Sequence, residues 1–222
     1  MPDAVKREYR SDLRAAQARE TRRRIVAAAA ELFVAQGYGG TSVDAIADAA
    51  GVSRKTVFTA VGGKAELLAL SVDWAVAGDD APVALAERAE VIAVLRLDDP
   101  GALLDGWARV LAGIDGRVGD LFTAVEAAAS LDETARSLFE RWQAQRRDGA
   151  RAVVDAVAAL GGLRDGMTRS QCVDLAWLLT EPLLYRRLVG ARGWSGRRFE
   201  RWLAETLRQQ LLRPAPPNSE SR

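Results

Sequence analysis

Residues 41–68 read TSVDAIADAAGVSRKTVFTAVGGKAELL, and their run of caps, small residues and turns decides how the rest of the chain is read. Thr41 or Ser42 is suited to cap a helix, with Asp44 placed to reach back in a capping-box arrangement. Ala45, Ile46, Ala49 and Ala50 then line one face of a short helix. Gly51 suits the left-handed position that ends it, and Ser53 can cap a second helix over 54–61. In that second helix Val57 and Val61 point inward, while Arg54, Lys55 and Thr56 are left for the outside. Ala47 and Gly51, four residues apart, supply a small residue at the crossing and a permissive turn after it. The pattern predicts a helix-turn-helix, a device for presenting its second helix to a DNA groove.

Upstream, Ile25, Ala29, Leu32 and Phe33 fall at helical spacing and predict a helix over about residues 19–36, stopped by Gly37. Residues 1–18 lack a sustained apolar stripe and predict a frayed or partly helical basic arm, in which Lys6, Arg7, Arg10 and Arg14 are the cations. Downstream, Gly62-Gly63 predicts a turn and Lys64 opens a helix to about residue 76. Helices are expected over about 84–97, 101–115 and 117–130, separated by Asp98-Asp99-Pro100-Gly101 and by Asp115-Gly116. Asp132 caps a longer helix ending at Gly161-Gly162, and Thr168 with Gln171 forms a capping box for a helix carrying Pro182 to about residue 189. Ser195 caps a last helix whose stripe is Phe199, Trp202, Leu203, Thr206, Leu207, Gln210 and Leu211. Pro214, Pro216 and Pro217 end structure, so residues 214–222 read as a disordered tail. No stretch predicts a strand, and the fold class is all-α.

Composition narrows the function classes. The chain has 222 residues, no histidine and one cysteine, Cys172. That removes Ser-His-Asp and Cys-His nucleophiles, histidine-ligated metals and an internal disulfide. Gly62-Gly63-Lys64 is not a phosphate loop, because the upstream glycine is missing and Ala65 stands where Ser or Thr belongs. An enzyme is not expected, and neither a cofactor nor a metal. No apolar run approaches the roughly 18 residues of a membrane span, and the basic start lacks an apolar h-region. Cytoplasm follows by default. The net charge of +1 hides an asymmetry: residues 1–64 hold 11 basic and 7 acidic side chains, and residues 65–222 hold 20 and 23. A basic head on a mildly acidic body suits a DNA-binding domain joined to one that does not bind DNA.

With residues 19–70 laid out, the chain resembles the TetR family of bacterial transcription regulators. The resemblance rests on RRRIVAAAAELFVAQGYGGTSVDAIADAAGVSRKTVFTAVGGKAELL, in which Gly-Tyr, Thr-Ser-Val, Ile-Ala, Ala-Gly-Val-Ser and a Lys-initiated helix follow in order. In the body it extends more loosely to Ala176-Trp177, Tyr185, Arg192-Gly193-Trp194-Ser195 and Phe199-Glu200-Arg201-Trp202-Leu203. It implies a three-helix DNA-binding head at 19–66, a helical ligand-binding and dimerisation body at 67–213, and a repressor released by a small molecule. It further implies that Ser42 and Lys64 meet phosphate, that Ser53, Arg54, Lys55 and Thr56 face the groove, and that Phe58 lies at the backbone. Where the family carries Tyr-X-Tyr/His-Phe this chain has Phe58-Thr59-Ala60-Val61, which keeps the ring without its hydroxyl.

The chemistry of the head stands beside that resemblance. Arg54 can take guanine bidentately, Thr56 offers a hydroxyl or methyl, and helix N-termini with Lys64 suit phosphates. One short motif binds weakly alone, so a homodimer on a near-palindromic operator in double-stranded DNA is expected. The last helix and the apolar helix before it, with Cys172, Val173, Leu175, Trp177, Leu178, Leu179, Leu183, Leu184 and Leu188, are the expected dimer face. In the body Trp107, Phe122, Trp142 and Trp177 are candidates for an aromatic pocket, and Glu126 for meeting a cationic group or a partner arginine. The small-molecule effector is expected to be apolar or amphipathic. The alternative is a helical homodimeric regulator or interaction protein with no inducer.

Overall fold

The computed structural model describes the backbone of residues 2–214 and side chains from residue 13 onward. Among those residues every regular element is helical. The order is α1 (Pro2–Gly40), α2 (Val43–Ala50), α3 (Arg54–Ala60), α4 (Lys64–Ala77), a 3₁₀ turn (Leu85–Glu87), α5 (Ala89–Leu95), α6 (Pro100–Ala129), α7 (Glu133–Ala159), α8 (Arg169–Leu179), α9 (Pro182–Tyr185), a π-helical turn (Arg186–Ala191) and α10 (Gly196–Leu211). The one β-type pairing among them is an isolated bridge between Leu163 and Leu212. No described helix is long and apolar enough to cross a membrane.

The chain partitions into two compact units: Met1–Ala75 with Asp120–Phe139, and Val76–Gly119 with Glu140–Arg222. This differs from the division expected at residue 66, because a stretch distant in sequence folds with the head. In the first unit α1 buries Ile25, Val26, Ala29 and Phe33, and α4 buries Leu67, Leu68 and Val72. The helix of α1 starts at Pro2, so the stretch expected to fray continues it; Gly37, at φ 71°, breaks it as expected. The side chains of Lys6, Arg7 and Arg10 lie outside the described residues, as do residues 215–222 of the expected tail; Arg14 is exposed.

The second unit corrects three expectations. First, Pro100–Ala129 is one helix: α6 runs unbroken through Asp115-Gly116. A Cβ on Gly116 would lie 3.2 Å from the Tyr185 hydroxyl, so the glycine admits a close neighbour, and a lone helical glycine costs only about 1 kcal/mol. Second, the single helix expected to run from Thr168 through Pro182 is broken. α8 stops at Leu179, and Pro182 occupies the first turn of the separate α9, where its missing N–H costs no bond. The capping box of Thr168 and Gln171 forms as expected.

Third, much of the stripe on the last helix is covered from within its own chain. Phe199, Leu203, Leu207 and Leu211 are fully buried in the unit's own core, with Leu103, Leu104, Trp107, Val153, Val154, Val157, Cys172 and Ala176. The spacing of the stripe records which face is covered, not by what. On α8, by contrast, Leu178 is 57% exposed and Trp177 half-buried.

Asp115 is the unusual charge of this unit. It is 2% exposed, its Oδ2 has no hydrogen-bond partner, and its carboxyl is pushed up to about 8, first by burial and then by Glu181, against the opposing pull of Arg146. A carboxyl raised in the folded state keeps a proton that the unfolded chain releases near pH 4, so stability falls as pH rises from there to about 8. Across that window the slope approaches about 1.4 kcal/mol per pH unit. Urea unfolding at pH 5 and pH 8 should therefore show a smaller stability gap for Asp115→Asn than for the natural chain. An equal gap in both proteins would place the titration elsewhere.

Candidate nucleic-acid interface

Caps and a tight turn position α3. Ser42 caps α2, accepting from the Ala45 backbone N–H at 3.1 Å. Thr41 does not cap it; its hydroxyl lies 2.8 Å from the Gly37 carbonyl and 3.1 Å from that of Leu32, tying the turn to α1. Gly51, left-handed at φ 64°, ends α2, and the Val52 N–H closes the turn on the Ala47 carbonyl at 3.0 Å. Ser53 then caps α3 through the Thr56 N–H at 3.1 Å. Ile46 and Ala47 on α2 and Val57 on α3 are buried, which fixes α3's inner face and leaves Arg54, Lys55, Phe58 and Thr59 outward.

The sequence-expected contacts divide by what they already touch. Ser42, Ser53 and Lys55 are exposed. The Thr56 hydroxyl is half-buried and pairs with that of Ser53 at 2.8 Å, so these two act as one polar point rather than two. Arg54 Nη1 donates to Asp44 Oδ2 at 2.6 Å, and its guanidinium carbon sits 5.5 Å from the Phe58 ring centroid. The capping-box role expected of Asp44 is therefore corrected. With Ser42 as the cap, the third helical position is Ala45, and Asp44 is left one residue short of closing the box.

Lys64 opens α4 half-buried, its ammonium 4.2 Å from the centroid of the Tyr38 ring. The Tyr38 hydroxyl donates to Asp132 Oδ2 at 3.1 Å, while Asp132 Oδ1 accepts the Ala135 N–H and so caps α7. Burial lowers the Lys64 ammonium from its ordinary value, with Asp132 opposing, and raises the Tyr38 phenol together with the Asp132 bond. The Ala135 bond, ahead of the Tyr38 hydroxyl, holds Asp132 below the usual carboxylate range. Neither Asp44 nor Asp132 was legible as a partner of the expected contacts. The first is separated from Arg54 by a turn, and the second belongs to a distant stretch.

The expected pocket residues divide between the two units. Phe122 is buried in the first unit and pairs with Phe139 at 5.8 Å between ring centroids. Trp107 and Trp142 are buried in the second unit, where Trp107 approaches Gly149. Glu126 is exposed. Trp177 borders a groove of about 330 Å³ with Gln143, Ala144, Arg147 and Asp148, and two guanidiniums, of Arg146 and Arg147, lie over its ring. A neighbouring groove of about 420 Å³ is lined by Arg147, Arg151, Arg169, Asp155, Asp174, Ser170 and Val173, charged rather than aromatic.

The geometry of α1–α4 meets its counterpart in known proteins. Residues 25–70 match the model of bacterial regulatory proteins, tetR family. The head of this chain is thus similar to the DNA-binding heads of that family. Over 54 residues, 24% of the chain, the head is 52% identical to two proteins of Pseudomonas putida, the uncharacterized HTH-type transcriptional regulator TtgW and the HTH-type transcriptional regulator SrpR. That stretch spans 40% of the first relative and 25% of the second. Solved structures share the fold over nearly the whole length. NalD, the secondary repressor of the MexAB-OprM multidrug efflux pump in Pseudomonas aeruginosa, superposes with a TM-score of 0.64 at 23% identity, covering 88% of this chain and 98% of its own. A transcriptional regulator from Saccharomonospora viridis in complex with choline gives 0.68 at 19%, covering 88% and 99%. The chain thus shares the helical fold of these solved structures, at identities where only the fold is shared.

Proposed function

We propose that the protein is a sequence-specific DNA-binding transcriptional regulator that reads the major groove with α3. One observation carries this: α3 is capped by Ser53 and anchored by buried Val57, so that Arg54, Lys55 and Phe58 project together from one exposed face. A helix fixed behind and charged in front is what groove reading needs. The test is a titration of fluorescent DNA from the gene's own upstream region, at two salt concentrations, against random competitor. Competitor-resistant binding supports the reading, and binding that vanishes with salt overturns it.

The head's contacts separate into two kinds. Arg54→Ala is expected to weaken the cognate sequence by about 1–3 kcal/mol and random DNA far less, since a bidentate base contact carries that much discrimination. Lys64→Ala should weaken all sequences alike and lower the salt slope by about one counterion. Equal losses from both substitutions would overturn this sorting.

Beyond DNA binding, the reading extends to a homodimeric repressor released by a small amphipathic molecule. The outward apolar Leu178 on α8 supports a dimer face there, and the repressor NalD and the choline-bound regulator support the rest by likeness of fold. Light scattering at two concentrations tests the dimer, with Leu178→Lys expected to shift it towards monomer. A saturable loss of operator affinity on adding ligand supports the sensor; no response across an amphipathic library favours a regulator without inducer.

A further inference from the structure

Asp44 and Arg54 form an ion pair across the turn between α2 and α3, on the face that α3 presents outward. Their side chains are 58% exposed for Arg54 and 61% for Asp44, and pairs so exposed add little to stability. Nor is the carboxylate needed as a cap, since Ser42 performs that role alone. On a surface meant for phosphates and base edges, a negative charge opposes binding in general. Its effect is instead on the arginine: one carboxylate oxygen holds Nη1 at 2.6 Å, and the Phe58 ring, itself 47% exposed, lies beside the guanidinium. These two contacts bias a long side chain that samples many rotamers towards one.

We propose that Asp44 is a specificity-determining residue, which clamps Arg54 with its Nε–Nη2 edge turned outward for a base carrying two adjacent acceptors. Resting on the DNA-reading function above, this assigns a recognition unit of three side chains rather than one. Guanine, with O6 and N7 in its major-groove edge, matches the paired donors that Nη1's bond to Asp44 leaves over. The Phe58 ring supplies an apolar neighbour suited to a thymine methyl at the adjoining step. A clamped guanidinium cannot swing to a phosphate, and this is how a charge unfavourable to DNA in general favours one sequence over the rest. Freed from the clamp, the same arginine becomes an indiscriminate cation.

The experiment is selection of sites from randomised duplex DNA by the full-length natural chain, Asp44→Asn, Arg54→Ala and the double variant, followed by titration of operators differing at single base pairs. Thermal melting of each variant confirms that the head remains folded. The natural chain is expected to select guanine at symmetric positions. Asp44→Asn should cut the preference at those positions about tenfold while binding random DNA as tightly or up to about threefold tighter. Arg54→Ala should erase the same preference, and adding Asp44→Asn to it should change nothing further at that base pair. An Asp44→Asn profile identical to the natural one overturns the clamp and leaves the DNA reading intact, as does a loss at base pairs that Arg54→Ala leaves unaffected. A natural chain that selects no sequence overturns both.

Discussion

Phe199→Ala is expected to remove about 3–5 kcal/mol of folding stability. Phe199 is fully buried, meets the Tyr185 ring edge-on at 4.9 Å between centroids and lies 5.6 Å from Trp202. Truncation leaves a cavity between rigid rings that cannot collapse to fill it, and a whole domain holds only about 5–15 kcal/mol in reserve. Urea unfolding followed by tryptophan fluorescence measures the loss, with Trp202 as a reporter beside the cavity. Arg201→Ala, on the exposed side of the same helix, is the control and should change little. Because the core around α10 is built from one chain, the loss should not depend on protein concentration. A loss that shrinks as concentration rises would mean that a second chain covers this residue.

A head cut after Ala75 is expected not to fold cooperatively. The compact unit that contains it also contains Asp120–Phe139, so the cut removes part of its structure. Tyr38 would lose the carboxylate its hydroxyl reaches, a bond worth about 1.5–3 kcal/mol when the acceptor is charged. The missing stretch also carries buried Leu121, Phe122, Val125 and Leu138. Burial of each such side chain contributes roughly 1.5–3 kcal/mol, so losing the cover of even two consumes much of a small domain's stability. Circular dichroism melting of residues 1–75 should show a broad, shallow transition. A fusion of residues 1–75 to residues 120–139 through a glycine-serine linker should recover a sharp one. A sharp melt for residues 1–75 alone would show that the head stands without its distant part.

These expectations mark how far the sequence could be read. Local features were legible because their causes are local: the Ser53 cap, the left-handed Gly51, the Thr168–Gln171 box and the buried Val57 each depend on residues within a turn or two. Features set by tertiary neighbours were not. Asp115-Gly116 resembles a turn until Tyr185 is known to need the space, and the α10 stripe looks the same whether its own chain or another covers it. Six tryptophans suggested a pocket, but aromatic composition is equally suited to solid core, and Trp107 and Trp142 are buried. In the head, the exposed positions of α3 were legible and the company they keep was not. Asp44 for Arg54 and Tyr38 for Lys64 are pairings across turns, invisible to periodicity along one helix.

The division of one unit between two distant stretches also sets the order in which the chain can acquire structure on the ribosome. Residues up to 75 emerge first, but their unit is complete only once residue 139 has cleared the exit tunnel. At about 5–20 residues per second the wait is on the order of several seconds, long beside helix formation. During that interval the segments of α1–α4 lack their full cover and are open to chaperones and proteases. A pause in translation anywhere between residues 76 and 139 would lengthen this exposure. Synonymous codons in that stretch, silent in the protein's sequence, are thus placed to govern how much of it survives to fold.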